Sequence, residues 1–422
     1  MFVIVSLFVG GYLLIALEHP LRVSKSAIAL VLGGLLWTVL SVLRLGGGEL
    51  LPRLTDHVAS VAALVFFLMG AMAIVEVVDA HGGFEIITSR ITTHSLRKLL
   101  WIISFVTFFL SAILDNLTTT IVMLTLCRRL VVSPKDRLFF AGMVVIAANA
   151  GGAFSPIGDV TTTMLWLGGQ ISPVAIITRL FLPSLVNLVL PLAVGSLFVR
   201  GGVARAKPAE QSRPVSDGER AIILFLGLGC LIAVPVFKVL TGLPPYLGIL
   251  LGLGIVWVTT EVLHRDKGEP YRSSLSLAHA LVEIDLPSIL FFVGILLAVA
   301  ALEVAGALAG LAGWFDAAIG NQTIIVSLMG FFSSVIDNVP LVSAAMNMYS
   351  LAHYPMDSFL WEFLSYCAGT GGSLLVIGSA AGVTAMGMER LTFGWYARRI
   401  APLALLGYLG GGAVYLIETA VR

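Results

Sequence analysis

Two polar stretches with the same pattern interrupt otherwise apolar sequence, and they limit the possible folds of this chain more than any other feature. The first reads Ser111-Ala-Ile-Leu-Asp-Asn-Leu-Thr-Thr-Thr120, and its Ser-x-x-x-Asp-Asn pattern returns 222 residues later at Ser333–Asn338. A carboxylate in the middle of a membrane-spanning segment costs about 2.5–3.5 kcal/mol on insertion scales and usually has a function. Two such stretches in the same frame favour an internal duplication.

The composition is that of a membrane protein. Hydrophobic residues make up 58% of the chain and charged residues 12%, with a mean hydropathy of +1.00, whereas soluble domains contain about 25% charged residues. A net charge of +1 gives no electrostatic reason to expect nucleic acid as a partner. The three cysteines have neither metal-ligand spacing nor a disulfide framework. We therefore predict an all-α polytopic protein surrounded by membrane lipid.

Apolar runs long enough to cross about 30 Å of hydrocarbon predict the membrane segments. The predicted full spans cover residues 1–17, 26–43, 58–80, 138–170, 173–199, 220–240, 243–263, 285–304, 359–388 and 395–418. The first run lacks a cleavage site, which predicts a retained span rather than a signal peptide. Two further runs, 99–127 and 321–350, are predicted to fold back at the Asp-Asn pairs as re-entrant helical hairpins.

Matching motifs divide the chain into two copies, residues 1–199 and 220–422, joined by a polar linker at 200–219. Gly34-x-x-Trp37 recurs as Gly254-x-x-Trp257, and other motifs recur at offsets of 220 to 225 residues. Each copy holds five full spans, one of them unwound, and one hairpin. Because five is odd, the second copy is predicted to be inverted relative to the first.

Basic residues predict the orientation, because Lys and Arg concentrate in cytoplasmic loops. The sequence near the first hairpin contains Arg90, Arg97, Lys98, Arg128, Arg129, Lys135 and Arg137, whereas 305–321 and 351–358 beside the second contain none. The first hairpin is therefore predicted to enter from the cytoplasm and the second from outside. The linker is then cytoplasmic, and both termini lie outside.

Glycines and prolines break one further apolar run in each copy. Asn149–Thr163 contains Gly151, Gly152, Pro156 and Gly158, which do not fit one continuous helix. Thr370–Ser379 is its counterpart in the second copy. Inverted repeats with broken helices near the middle of the membrane are typical of secondary transporters.

The polar side chains of these segments are oxygen donors, which suit a hard monovalent cation. The candidate ligands are Asp115, Asn116, Thr118, Thr119, Ser155, Asp159, Thr161, Thr162, Asp337, Asn338, Ser343, Thr370 and Ser373. Three carboxylates without a basic residue at the same predicted depth favour a cation over an anion. A carboxylate can bind either a cation or a proton, and this competition would couple the two flows.

Structural roles compete with these interpretations. Asp115 and Asp337 could serve only as helix N-caps, and Asp159 could only brace its turn. Glu76 and Asp79, near the predicted inner end of the third span, could give protons access or simply end the span in solvent. Ser111 and Ser333, one helical turn before their aspartates, could be ligands or bind backbone.

Five segments together resemble the NhaD-type sodium/proton antiporters of the ion transporter superfamily. They are Glu18-His-Pro, Phe66-Phe-Leu-Met-Gly, Asp115–Thr120, Asn149–Thr162 and Asp337-Asn338. The resemblance implies exchange of Na⁺ and Li⁺ for H⁺ across a bacterial cytoplasmic (inner) membrane, with no catalytic residue and no resident cofactor. It also implies a homodimer in which a scaffold domain holds a mobile transport domain that moves like an elevator, each domain drawn from both repeats.

The resemblance further implies which residues are linked to the ions. These are Asp115, Asn116, Asn149, Asp159, Thr161, Thr162, Ser333, Asp337, Asn338 and Ser373, with Na⁺ bound at Asp115, Asn116, Asp337 and Asn338. The two copies differ, since Pro340-Leu-Val replaces Thr118-Thr-Thr and Ser379 replaces Asp159. Two other functions stay open, a Na⁺-coupled symporter of a small anion such as a dicarboxylate and an arsenite-type permease.

The predicted orientation can be tested at Arg129. We expect a cysteine in Arg129→Cys to react with a membrane-impermeant thiol reagent only from the cytoplasmic face, because the basic loop lies inside. Labelling of right-side-out and inside-out vesicles measures this, and the wild type with its native cysteines gives the background. Labelling from the outer face would reverse the topology.

Overall fold

The computed structural model describes residues 2–16, 22–44, 50–88, 93, 95–199, 201, 215–335 and 338–421. Within these ranges the secondary-structure elements are all α-helices, which confirms the all-α prediction. Asp337, the Glu18-His-Pro segment and most of the predicted linker lie outside the described residues.

The described helices follow the predicted apolar runs. In the first half they are α1 (Phe2–Ala16), α2 (Lys25–Val42), α3 (Leu50–Ala80), α4 (Gly83–Thr88), α5 (Leu96–Ser111), α6 (Asn116–Leu130), α7 (Pro134–Ala153), α8 (Val160–Leu167) and α9 (Pro173–Gly195). In the second half they are α10 (Asp217–Thr241), α11 (Pro245–His264), α12 (Glu269–Ser274), α13 (Leu277–Glu283), α14 (Leu286–Val304), α15 (Ala307–Ala318), α16 (Gln322–Phe332), α17 (Asn338–Met348), α18 (Phe359–Gly371), α19 (Ala380–Glu389), α20 (Phe393–Arg399) and α21 (Ala401–Val421).

Among the described helices, seven are long and apolar enough to cross a membrane, namely α2, α3, α9, α10, α11, α14 and α21. The chain is therefore a multi-pass membrane protein. The runs 138–170 and 359–388 each form two helices around a non-helical segment, 154–159 and 372–379. Helix α3 begins at Leu50, earlier than predicted, so Arg53, Asp56 and His57 are helical. The short helices α4, α12, α13 and α15 were not predicted, and the predicted span 395–418 is divided at Ile400 between α20 and α21.

Side-chain caps fix where the helices begin. Serines cap α5, α7 and α9 by accepting a hydrogen bond from a backbone N–H in the first turn. The same chemistry recurs inside the protein, where Asp115 caps α6, Asp159 caps α8 and Ser379 caps α19. The first N–H groups of a helix have no partner within it, so these caps allow helices to begin away from water.

Equivalent glycines bring helices into close contact in both halves. Gly151 of α7 lies against the backbone of Phe108 in α5, and Gly371 of α18 lies against the backbone of Gly330 in α16. In both places an added Cβ would overlap the carbonyl oxygen of the neighbouring helix. The broken helices α7 and α18 are thus held against α5 and α16 by the same kind of contact.

The helices form two groups, each containing members from both halves. The first helix group comprises α1 to α4 and α10 to α14, and the second helix group comprises α5 to α9 and α16 to α21. The main contacts between them pair α3 with α8 and α14 with α17, while α15 contacts both α14 and α17. All the capped breaks described above belong to the second helix group.

The close contact at Gly151 predicts a loss of stability in Gly151→Ala. The added methyl group has backbone as its neighbour, which yields less readily than a side chain, and overpacking of this kind costs about 1–3 kcal/mol. We expect a lower melting temperature in detergent, measured by tryptophan fluorescence.

Gly34→Ala is the matched control. It is also a helical glycine, but no atom lies within 4 Å of the added Cβ. Alanine favours a helix over glycine by about 1 kcal/mol, so this variant should be at least as stable as wild type. Equal melting temperatures of Gly151→Ala and Gly34→Ala would contradict the packing.

Candidate functional site

Asp159 lies at the centre of a buried polar network. Its carboxylate accepts hydrogen bonds from the Thr161 backbone N–H at 3.0 Å and the Thr161 hydroxyl at 3.1 Å. The Asn116 amide donates to it at 3.0 Å, and the Asn338 amide lies 3.4 Å from one of its oxygens. Only 1% of Asp159 is exposed. Since Asn116 and Asn338 come from different halves, one carboxylate joins the two Asp-Asn stretches.

Asn149 extends this network to the second break. Its side-chain oxygen accepts from the Asn116 amide at 3.2 Å, and its own amide donates to the Ser379 hydroxyl at 2.9 Å. Ser379 in turn caps α19 by accepting from the Gly382 N–H. The network therefore links the beginnings of α6, α8, α17 and α19 with the end of α7.

Asp115 has a different environment from Asp159. Its two oxygens accept from the Thr118 backbone N–H and the Thr118 hydroxyl, both at 2.7 Å. The residue is half-buried and lines a cavity, together with its buried neighbour Asn116. The N-terminus of a helix carries a partial positive charge that stabilises anions, so α6 and α8 stabilise Asp115 and Asp159.

Most of the other predicted hydroxyl ligands bind backbone carbonyls. The donor and acceptor pairs are Ser155 with Ala112, Thr162 with Asp159, Ser333 with Ala368, Thr370 with Tyr366 and Ser373 with Thr370. Ser111 binds Ala148 as Ser333 binds Ala368. The bonds of Ser111, Ser155 and Ser333 join distant segments, whereas the others lie within one helical turn. The hydroxyl oxygens keep lone pairs that can bind a cation. The buried Thr119 hydroxyl has no hydrogen-bond partner among the described residues.

The structure thus brings Asn116, Asn149, Asp159, Thr161 and Asn338 into contact and places Asp115 beside them. Glu76 and Asp79 lie half-buried on α3, where each makes interactions of its own.

Three cavities follow one another along α14, between the two helix groups, and two of them are also lined by α3. The central cavity, of about 60 Å³, is lined by Asp115, Asn116 and Thr163 of the second helix group and by Asp285 and Ser288 of the first. A water molecule needs roughly 10–15 Å³ of such space, so the central cavity has room for several.

A wider space, which we call the vestibule, has a volume of about 500 Å³ and adjoins the central cavity at Leu117, Asp285, Ser288 and Ala380. Further along the same helices lies a third cavity of about 450 Å³, lined by residues that include His57 and Ser343. The site therefore lies between two wider spaces.

Two polar residues at this site were not predicted. Asp285 precedes an apolar run, where an aspartate is an ordinary helix cap, and nothing in the sequence places it in the same cavity as Asp115. Ser379 was recognised only as the counterpart of Asp159. Both positions depend on how α14 and α19 pack, which a sequence pattern does not reveal.

Comparison with known proteins identifies the family. A family model described as Citrate transporter matches residues 12–369. The chain is 49% identical to Sodium/proton antiporter 2 of Arabidopsis thaliana, over 97% of this chain and 98% of that protein. It is 32% identical to the Na⁺/H⁺ antiporter NhaD of Alkalimonas amylolytica, over 98% of this chain and 90% of that protein. The chain belongs to the NhaD family. The family that the sequence motifs indicated is thereby confirmed. This NhaD family member is a transporter.

A double-mutant cycle tests the bond between Asn149 and Ser379. Each alanine variant should lower the melting temperature, because a buried polar group that loses its partner costs about 1–3 kcal/mol. If the two side chains bind each other, Asn149→Ala and Ser379→Ala together should cost less than the sum of their separate effects.

Ser379→Ala combined with Thr178→Ala is the control, since Thr178 is exposed and its hydroxyl binds only within α9. That pair should be additive. Additivity in the Asn149 and Ser379 pair as well would show that the bond does not form.

Proposed function

We propose that this protein is a secondary active antiporter that exports cytoplasmic Na⁺ or Li⁺ in exchange for H⁺. One observation carries the proposal. The protein's own carboxylates, Asp115 and Asp159, occupy the N-termini of α6 and α8 beside the central cavity, and an anionic substrate would need those same positions. Relatives named as sodium/proton antiporters support the same conclusion.

Competition for carboxylates provides the coupling. A carboxylate in a largely apolar cavity is stabilised by a nearby positive charge, and either Na⁺ or H⁺ can supply it. When the cation is released on one side, protons take its place on the carboxylates there and are released on the other side, where the next cation binds. One gradient thereby drives the other. The proposed ligands of Na⁺ are Asp115, Asn116, Asp337 and Asn338, supported by Thr118, Thr119, Asn149, Ser155, Asp159, Thr161, Thr162, Ser333, Thr370 and Ser373.

The proposed movement is a displacement of the second helix group along the first. On this proposal, the first helix group is the scaffold and the second is the transport domain, arranged as two inverted repeats with re-entrant hairpins at α5–α6 and α16–α17. The few pairs of helices in contact between the groups favour such sliding. In the predicted orientation the vestibule opens to the cytoplasm, so the central cavity faces inward.

The proposal also includes proton access, the oligomeric state and the orientation in the membrane. Glu76 and Asp79, on the helix that lines the central cavity, are proposed to give protons access. We also propose a homodimer in a bacterial cytoplasmic membrane, with both termini outside. These features follow from the family resemblance and from the distribution of basic residues.

A second candidate function is Na⁺-coupled uptake of a small anion. The family description, Citrate transporter, favours it, and helix N-termini are suitable sites for carboxylate groups. In this protein, however, the capping carboxylates would repel a dicarboxylate at α6 and α8. Labelled citrate is therefore included as a test substrate.

Removing the charge of Asp115 tests the mechanism. Asn is as good an N-cap as Asp, so Asp115→Asn should fold but lose the cation-binding charge. In everted vesicles with an acid interior, Na⁺ should alkalinise the lumen through wild type, and this response should vanish in Asp115→Asn and in Asp337→Asn. A pH-sensitive dye reads the change.

Asp266→Asn is the matched control, since Asp266 is an exposed loop aspartate whose side chain is 88% accessible. It should exchange Na⁺ as wild type does. Normal exchange in both Asp115→Asn and Asp337→Asn would overturn the carboxylate mechanism. Uptake of labelled citrate with Na⁺, without proton exchange, would establish the second candidate instead.

A further inference from the structure

A second carboxylate, Asp285, lines the central cavity together with Asp115. Asp285 lies at the beginning of α14, in the first helix group, whereas Asp115 belongs to the second. Asp285 and Ser288 line both the central cavity and the vestibule, so they lie at the junction of the two. We propose that Asp285 binds the transported cation on its way between the vestibule and Asp115 and sets the affinity for Na⁺ on that side. This inference rests on the proposed cation transport.

The Asp285 carboxylate is held in a fixed orientation. One oxygen accepts from the Ser288 backbone N–H at 3.2 Å and the other from the Ser288 hydroxyl at 2.5 Å. A carboxylate has about four acceptor positions on its two oxygens, so two bonds leave capacity for a cation. Because Asn caps a helix as well as Asp does, the cap alone does not require the negative charge.

The lining of the central cavity gives this charge a role. Apart from the polar residues named above, its walls are apolar, formed by residues such as Phe67, Met72, Leu231, Ile249 and Phe292. A cation that leaves bulk water loses favourable hydration in such surroundings. A carboxylate at the junction replaces part of that hydration before the ion reaches Asp115.

The charges of the vestibule strengthen this inference. Its described lining includes two basic residues, Arg22 and Lys25, and Asp285 is the one carboxylate among the described residues there. The Lys25 ammonium group lies 4.8 Å from the centre of the Phe291 ring, on the helix that Asp285 caps. The negative charge of Asp285 therefore favours a cation over an anion where the passage continues to Asp115.

The position of Asp285 makes its effect specific to one side. If the second helix group moves while the first stays fixed, Asp115 travels with the ion but Asp285 does not. Asp285 can then contact the ion only while the central cavity adjoins the vestibule. Its charge should influence Na⁺ binding from the vestibule side and leave binding from the other side unchanged.

The experiment compares Asp285→Asn with wild type in proteoliposomes of known orientation. Na⁺ is varied on either face while proton movement is read by a pH-sensitive dye. We expect the half-saturating Na⁺ concentration on the vestibule face to rise about tenfold, the size of effect that one charge a few ångströms away produces. The value on the opposite face and the maximal rate should stay near wild type.

Asp266→Asn is again the control, because it removes one exposed negative charge from the loop between α11 and α12 without touching the cavity. Asp285→Glu should restore most of the affinity if a carboxylate is what matters. An unchanged value in Asp285→Asn, or equal changes on both faces, would overturn the proposal. So would a loss of exchange in both Asp285 variants accompanied by a lower melting temperature, which would indicate a structural cap.

The wild-type trace separates this inference from the proposed function. If wild type moves protons in response to Na⁺ and Asp285→Asn behaves identically, the antiporter stands and the role of Asp285 is wrong. If wild type shows no response to Na⁺ or Li⁺, the antiporter proposal fails first, and the role of Asp285 fails with it.

Discussion

Helices that begin inside a membrane protein must satisfy their first backbone N–H groups without water, and the rest of this site depends on that constraint. Asp115, Asp159 and Ser379 meet it at α6, α8 and α19. The same side chains are the ones available to an ion, because the breaks that expose helix ends also open the space between the helix groups. On the proposed function, capping and ion binding are two uses of one set of oxygens. An Asp cap provides charge as well as hydrogen bonding, whereas a Ser cap provides only the latter.

Close backbone contact holds these caps in position. Gly151 and Gly371 let α7 and α18 approach α5 and α16 so closely that no side chain fits between them. The serine hydroxyls of Ser111 and Ser333 then bind carbonyls of the same two broken helices. The glycine contacts and the serine hydrogen bonds are the same in both halves. The halves differ at the helix caps, where Asp159 in the first corresponds to Ser379 in the second. At this cap the asymmetry of the site is therefore chemical and arises from one residue.

Much of this arrangement could be predicted because it leaves periodic or repeated signals in the sequence. Long apolar runs predicted most helices, and the Gly and Pro residues of 149–163 predicted the break before α8. The repeated Ser-x-x-x-Asp-Asn pattern identified Asn116 and Asn338, and the structure brings both amides to Asp159. The ends of helices were predicted less accurately than their existence, as at α3, because a helix can continue past the apolar run into polar residues. The place of Asp285 could not be predicted at all, since it depends on which helix lines the central cavity together with α6, and local sequence contains no such information.

The amides around Asp159 suggest how a cation could bind and leave without a large structural change. An Asn side chain carries both a donor and an acceptor, and here Asn116 and Asn338 both direct N–H groups at the carboxylate. A cation at Asp159 would compete with those N–H groups for the same oxygens. Turning either amide by half a rotation would present its oxygen to the cation and remove the competing donor. On the proposed function, Asp159 with one asparagine from each half would form a site whose hydrogen bonds are exchanged for cation contacts one at a time, so that no step leaves the buried carboxylate without a partner.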